Sequence, residues 1–170
     1  MNTPVRDAIE RLSKVFAEQP MKARSKNPPA TATLDGGLKF TVTGSHGERL
    51  STDMPPAVGG AGSAPNPGWL LRASLASCTA TMIATRAAQV GVTLTSLEVS
   101  VTSESDTRGL IGADDRVSAG LAGLRTHVKI GAEGATPDPL QEIVRWGDAH
   151  SAVGCTIRDA PANAVEIEIT

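Results

Sequence analysis

Apolar positions along the chain change their period several times, and each change predicts an element. Val5, Ile9, Leu12, Val15 and Phe16 recur at helical spacing behind Thr3-Pro4, a cap residue with proline at the first helical position. They predict an amphipathic helix ending near Gln19-Pro20, with a charged outer face. Lys22 to Pro29 (KARSKNPP) then reads as a basic, proline-containing linker. Beyond it the period shortens. Ala30 to Leu34, Leu38 to Val42 and Arg49 to Thr52 predict three short strands, separated by Asp35-Gly36-Gly37 and Ser45-His46-Gly47-Glu48, and hence an antiparallel meander. Met54 to Pro65 (MPPAVGGAGSAP) is too rich in glycine and proline for regular structure and reads as a shaped loop.

The longest pattern runs from Asn66 to Gly91. Asn66 can cap a first turn whose initial position is Pro67, and Gly91 is a natural stop. Leu71, Leu75, Cys78, Met82 and Ala88 recur at spacings near three and four, and the intervening Leu70, Ala73, Ala76, Ala80, Ile83, Ala84 and Ala87 leave most of the surface apolar or small. A helix of roughly 24 residues is about 36 Å long, and this one is expected to be buried on nearly all sides. Arg72, Arg86 and five Ser and Thr residues make it too polar to cross a membrane.

After Gly91, Val92 to Thr102 alternates around Leu94, Leu97, Val99 and Val101 and predicts a strand, with Leu124 to Ile130 as its return. Ser103 to Gly120 is polar and reads as an exposed connection. Pro137-Asp138-Pro139 opens a second amphipathic helix through Leu140, Ile143, Val144 and Trp146 to Ala149. His150 to Asp159 continues as a helix end or a short helical turn, and Ala164 to Ile169 alternates as a terminal strand. The order helix, meander, long helix, hairpin, helix, strand predicts an α+β fold, with residues 1–29 as helix and linker and 30–170 as the domain.

Composition narrows the classes. With 170 residues, 40% of them hydrophobic, and a net charge of −2, the chain suits one domain with an ordinary core and no electrostatic pull on nucleic acid. Arg6, Asp7, Glu10 and Arg11 break the stretch where an export signal would be apolar, which points to the cytoplasm. Two cysteines are too few for a disulfide framework, and with three histidines they lack zinc-type spacing. His46 reads as solvated in a turn and His127 as a satisfied, partly buried strand histidine. Cys78 ahead of His127 or His150 has the order of a cysteine hydrolase without an accompanying signature. By burial alone, Cys78 reads as a small core hydrophobe.

GGAGSAPNPGWLLRASLASCTATM resembles the loop and cysteine-bearing helix of the OsmC/Ohr family, the osmotically inducible and organic hydroperoxide resistance proteins, with Cys78 twelve residues after Asn66. His150-Ser151-Ala152-Val153-Gly154-Cys155-Thr156-Ile157 resembles the family's His-Cys-Pro-Val segment, and the two motifs place the resemblance over about residues 30–170. The resemblance implies antiparallel sheets around a central Cys-bearing helix, in an intertwined homodimer with the reactive Cys at the interface. It also implies reduction of organic hydroperoxides by two thiols, an external dithiol reductant, and no metal or cofactor. In that chemistry a thiolate becomes a sulfenic acid, and a second thiol condenses with it. Cys78 takes the first role. Ser74 and Met82, half hydroxyl and half apolar, would shape its surroundings.

Two departures bear on the implied mechanism. The position of the family's arginine-orienting glutamate is Gly68, so an arginine facing the thiolate needs another anchor; Arg24, Arg49 and Arg72 are candidates by location, with Arg72 turned about 240° from Cys78 on the same helix. The family's second cysteine aligns with Ser151, and the second cysteine here is Cys155, one helical turn on. A disulfide requires Cα atoms within about 7 Å, so this displacement decides whether Cys155 resolves Cys78. His150 is the histidine placed to tune a thiol, or to bond backbone at a helix end. The alternative reading, motivated by Gly68, is a non-catalytic module of the same family that binds a small hydrophobic ligand or senses redox state through Cys78.

Overall fold

A computed structural model describes residues 4–170; the expected cap at Thr3 lies outside the described residues. Secondary structure follows the order α1 (Pro4–Glu18), β1 (Ala30–Gly36), β2 (Lys39–Gly44), β3 (Arg49–Thr52), α2 (Pro67–Gln89), β4 (Leu94–Glu104), α3 (Thr107–Leu110), β5 (Ala122–Ala132), α4 (Pro137–Ala149), α5 (Ala152–Arg158). The architecture is α+β, as expected. The chain divides into two compact units, one built mainly from residues 74–101 and 126–170, the other from residues 6–73 and 102–125.

In the second of these units the three predicted strands form an antiparallel meander in the order β1-β2-β3. Val42 pairs with Ala32 on one side and Leu50 on the other, and Phe40 with Leu34 and Thr52. The loop after β3 is held by one side chain. Asp53 is 2% exposed; its Oδ2 accepts from the N–H and hydroxyl of Ser63 at 2.9 and 2.8 Å, and its Oδ1 accepts from the N–H groups of Met54 at 2.8 Å and Ala61 at 3.4 Å. A carboxylate can satisfy several donors at once, which suits a segment whose glycines and prolines leave few ladder partners. The Ser63 backbone N–H, then the Ser63 hydroxyl, hold the Asp53 carboxyl below its usual range. The loop also contains a short 3-10 turn, Pro56–Val58, where none was expected. At Gly60 any Cβ would land on the Met54 carbonyl, so close backbone approach requires glycine there.

The other unit carries the core. Leu75, Thr79, Ile83 and Ala87 form the buried stripe of α2 at four-residue spacing, and Ile83 and Ala87 pack with Ile143 of α4 against Leu94, Leu97 and Val99 of β4 and Val128 and Ile130 of β5. α2 and α4 approach closely at Gly147, where a Cβ would stand 2.8 Å from the Ile83 nitrogen and 2.9 Å from its Cα.

Two expectations fail. α2 begins as expected, with Trp69 N–H donating to Asn66 Oδ1 at 2.9 Å, and Gly91 follows it with φ 76°. It buries one stripe rather than nearly all sides, leaving Trp69 and Leu71 exposed. The segment Ala164–Ile169 forms no strand: Val165, Ile167 and Ile169 are 77%, 83% and 92% exposed. Alternation makes a strand only when an edge accepts its hydrogen bonds and a face covers its apolar side, and no edge is paired with this segment. α1 likewise forms where its pattern predicts yet buries no residue.

Gly147→Ala is expected to destabilise the protein by about 1–3 kcal/mol through overpacking against backbone, outweighing the roughly 1 kcal/mol that alanine gains in helix propensity. Urea unfolding measures it, and a variant as stable as wild type would refute the close approach. For Asp53, the folded pKa lies below the unfolded value of about 3.9, so its contribution is complete above that value and is lost as pH falls through the folded pKa. Asp53→Asn is expected to flatten the fall in thermal midpoint below about pH 4, and an unchanged acid limb would count against this role.

Candidate functional site

Cys78 is half-buried on α2, one residue before the buried Thr79. Facing it is the start of α5. Ser151 is the N-cap of that helix and is fully buried; its Oγ accepts from Gly154 N–H at 3.2 Å and from the Thr79 hydroxyl at 3.3 Å. The first N–H groups of a helix have no partner within it, and this local shortage is what the sulfur exploits. Burial pushes the Cys78 thiol up, but the Ser151 hydroxyl and the backbone N–H groups of Val153 and Ala152 favour the thiolate and bring it, on balance, below its ordinary value. Hydrogen bonds to the charged form act in that direction. Each of these donors comes from α5, so the site is built from two segments more than 70 residues apart in sequence.

Cys155 lies one turn further along the same short helix, and both thiols are free. The Cys155 Sγ–H donates to the Ala149 carbonyl at 3.3 Å, and Arg158 Nη2 donates to the same sulfur at 3.5 Å. Arg158 is anchored by Asp148, with Nη1 at 3.3 Å from Oδ2 and Nη2 donating to the backbone carbonyl at 2.9 Å. The Cys155 sulfur, foremost, and the Asp148 carboxylate raise the Arg158 pKa. A cation thus stands beside the second thiol.

Of the other candidate residues, Ser74 is exposed and its carbonyl accepts from Ser77 Oγ, and Met82 is half-buried. His150 turns to Trp146: its Nδ1 donates to the Trp146 carbonyl at 2.8 Å, and the rings stack with centroids 3.8 Å apart. Arg24 and Arg49 are exposed, and their side chains make no hydrogen bond or ion pair among the described residues. At Gly68 a Cβ would face Asn66 Oδ1 at 3.3 Å and Leu121 Cδ2 at 3.8 Å. His46 is exposed, as expected, and His127 on β5 is exposed rather than partly buried. Thr79 and Arg158 were not singled out from the sequence. A threonine among Leu75, Ile83 and Ala87 on a buried stripe was the available sign for the first; Arg158, three residues after Cys155 on a helical turn, was the sign for the second. Among the described residues no group of three or more His, Cys, Asp or Glu could hold a metal ion.

A family profile described as OsmC-like protein matches residues 60–168. The chain belongs to the OsmC-like family. No curated protein matches it in sequence, whereas solved structures share its fold. An organic hydroperoxide resistance protein OsmC from Legionella pneumophila is similar at 23% identity and a TM-score of 0.62, over 79% of this chain and 91% of that one. An OsmC-like protein from Mycoplasma pneumoniae gives 18% identity and a TM-score of 0.66, over 81% and 91%. The organic hydroperoxide resistance protein OhrB of Bacillus subtilis gives 18% and 0.53, over 79% and 93%. These identities speak to the fold. No helix among the described residues is long and apolar enough to cross a membrane.

The alkylation of Cys78 is expected to titrate with a midpoint below about 8.5, the ordinary thiol value. Ser151→Ala should move that midpoint upward, while Ser151→Thr, which keeps the hydroxyl, should restore it. Equal midpoints in wild type and Ser151→Ala would remove the hydroxyl from the thiolate's support.

Proposed function

We propose that this OsmC-like protein reduces organic hydroperoxides through Cys78, in defence against peroxide stress in the cytoplasm. The observation that carries the reading is the set of three donors from the first turn of α5, which favours a thiolate at Cys78 against the opposing effect of burial. The thiolate attacks the terminal oxygen of ROOH, the O–O bond breaks, and the alkoxide leaves as ROH after taking a proton, so Cys78 becomes a sulfenic acid. Cys155 then condenses with it, forming the S–S bond and releasing water. An external dithiol reduces that bond by two exchange steps and leaves as its own disulfide. Support for Cys155 is its place on the helix whose first turn holds Cys78 and the Arg158 guanidinium at its sulfur.

The working form is proposed to be a homodimer. The apolar residues left uncovered on α1, on α2 and at Val165, Ile167 and Ile169 supply surface that a second copy would bury. A second reading, a non-catalytic ligand-binding or redox-sensing module, is favoured by Gly68, which provides no carboxylate to orient an arginine.

Steady-state consumption of cumene hydroperoxide with dithiothreitol separates the two. Cys78→Ser is expected to lose activity by at least a hundredfold. Cys155→Ser is expected to keep the first turnover and lose the dithiol-driven cycle. Equal rates for wild type and Cys78→Ser would overturn the enzyme reading.

A further inference from the structure

A second feature lies wholly within the unit of residues 6–73 and 102–125, and neither cysteine lines it. A cavity of about 560 Å3 opens beside the first turns of α2, walled by Val58, Leu71, Leu110 and Leu121, with Gly68 and Arg72 on its helical side. That volume falls within the roughly 300–1,000 Å3 of small-molecule sites. Its charges are unbalanced. Arg72 is half-buried, and its one side-chain bond among the described residues is from Nη1 to the neutral Ser103 hydroxyl at 3.1 Å. The carboxylate that also lines the cavity, Asp106, is already committed: Arg108 Nε donates to its Oδ1 at 3.0 Å, Arg108 Nη2 to its Oδ2 at 2.6 Å, and the Arg108 backbone N–H to Oδ1 at 3.0 Å. Gly68 sits one turn before Arg72 at the spacing where a carboxylate would pair with it, and offers only space.

We propose that this cavity binds a small amphipathic carboxylate, its apolar tail among the leucines and its head group on the Arg72 guanidinium. A partly desolvated guanidinium lacking a counter-ion gains most from a planar anion that accepts two parallel N–H bonds. The apolar part of the lining favours an anion with a hydrocarbon tail over a heavily hydrated one such as phosphate, and the absent side chain at Gly68 leaves the tail its room. The ligand is held by binding alone, so the site does not depend on thiol chemistry at Cys78.

The test is calorimetric titration of the full chain at pH 7.5 with octanoate and with 1-octanol, equal in chain length and different in charge. Octanoate is expected to bind one per chain, at least tenfold more tightly than octanol. Arg72→Gln should weaken octanoate at least tenfold and leave octanol unchanged. Gly68→Glu, which places a carboxylate within reach of Arg72 and fills the opening, should weaken octanoate at least as much, and it keeps the test decisive if Arg72→Gln fails to fold. Equal affinities for the two probes, no octanoate binding up to millimolar concentration, or octanoate affinity indifferent to both substitutions would each overturn the site. Because binding is the readout, loss of hydroperoxide turnover in Cys78→Ser would leave this result untouched.

Discussion

The contact between Cys78 and the first turn of α5 depends on a shortage of partners. A helix start presents N–H groups that its own carbonyls cannot satisfy. Ser151 satisfies Gly154, and the N–H groups of Ala152 and Val153 together with the Ser151 hydroxyl stabilise negative charge at the Cys78 sulfur. Two opposed effects meet at one atom, because burial penalises the thiolate and these donors favour it. The donors prevail only while α2 and the α4–α5 segment stay docked. That docking rests on the stripe Leu75, Thr79, Ile83 and Ala87, and on the absence of a side chain at Gly147. Packing at Ile83 therefore sets the conditions for acidity at Cys78, one helical turn and a half away.

Thr79 links these two levels. It is buried on the same stripe as Ile83, so it belongs to the packing, and its hydroxyl bonds Ser151, so it also belongs to the polar site. A valine of equal shape would pack there and leave the Ser151 oxygen with one donor fewer. Buried hydroxyl pairs of this kind add directional constraint that apolar contacts lack.

Much of the fold was legible because it is local. Asn66-Pro67, the Pro137 start and the period-two runs of the meander are decided by neighbours in sequence, and the structure places α2, α4 and β1 to β3 where those signals are. The failures are tertiary. Composition makes α2 look apolar on most sides, yet which side is covered depends on elements packed against it. Val165, Ile167 and Ile169 carry a strand pattern and pair with no edge among the described residues. The candidate site shows the same division. Cys78, Ser151 and Cys155 stand out by motif, whereas Thr79 acquires its role from Ser151, 72 residues away, and Arg158 from Asp148 at a helix junction as well as from Cys155 three residues before it.

Serine at position 151 changes the logic of the site rather than merely weakening it. A hydroxyl can donate to a thiolate and cap a helix, but it cannot condense with a sulfenic acid to a disulfide, so in the proposed reaction holding the sulfur and resolving it would be separate tasks. The first stays at the helix start, where donors are dense. The second would pass to Cys155, whose sulfur accepts from Arg158 Nη2 at 3.5 Å. Separation would have a physical consequence: a serine bonded to Thr79 and Gly154 takes no part in disulfide formation, whereas a cysteine there would leave the cap each time it formed one. In the proposed cycle the helix start would remain intact, and Cys155, a free thiol one turn along α5, would have to meet the oxidised sulfur.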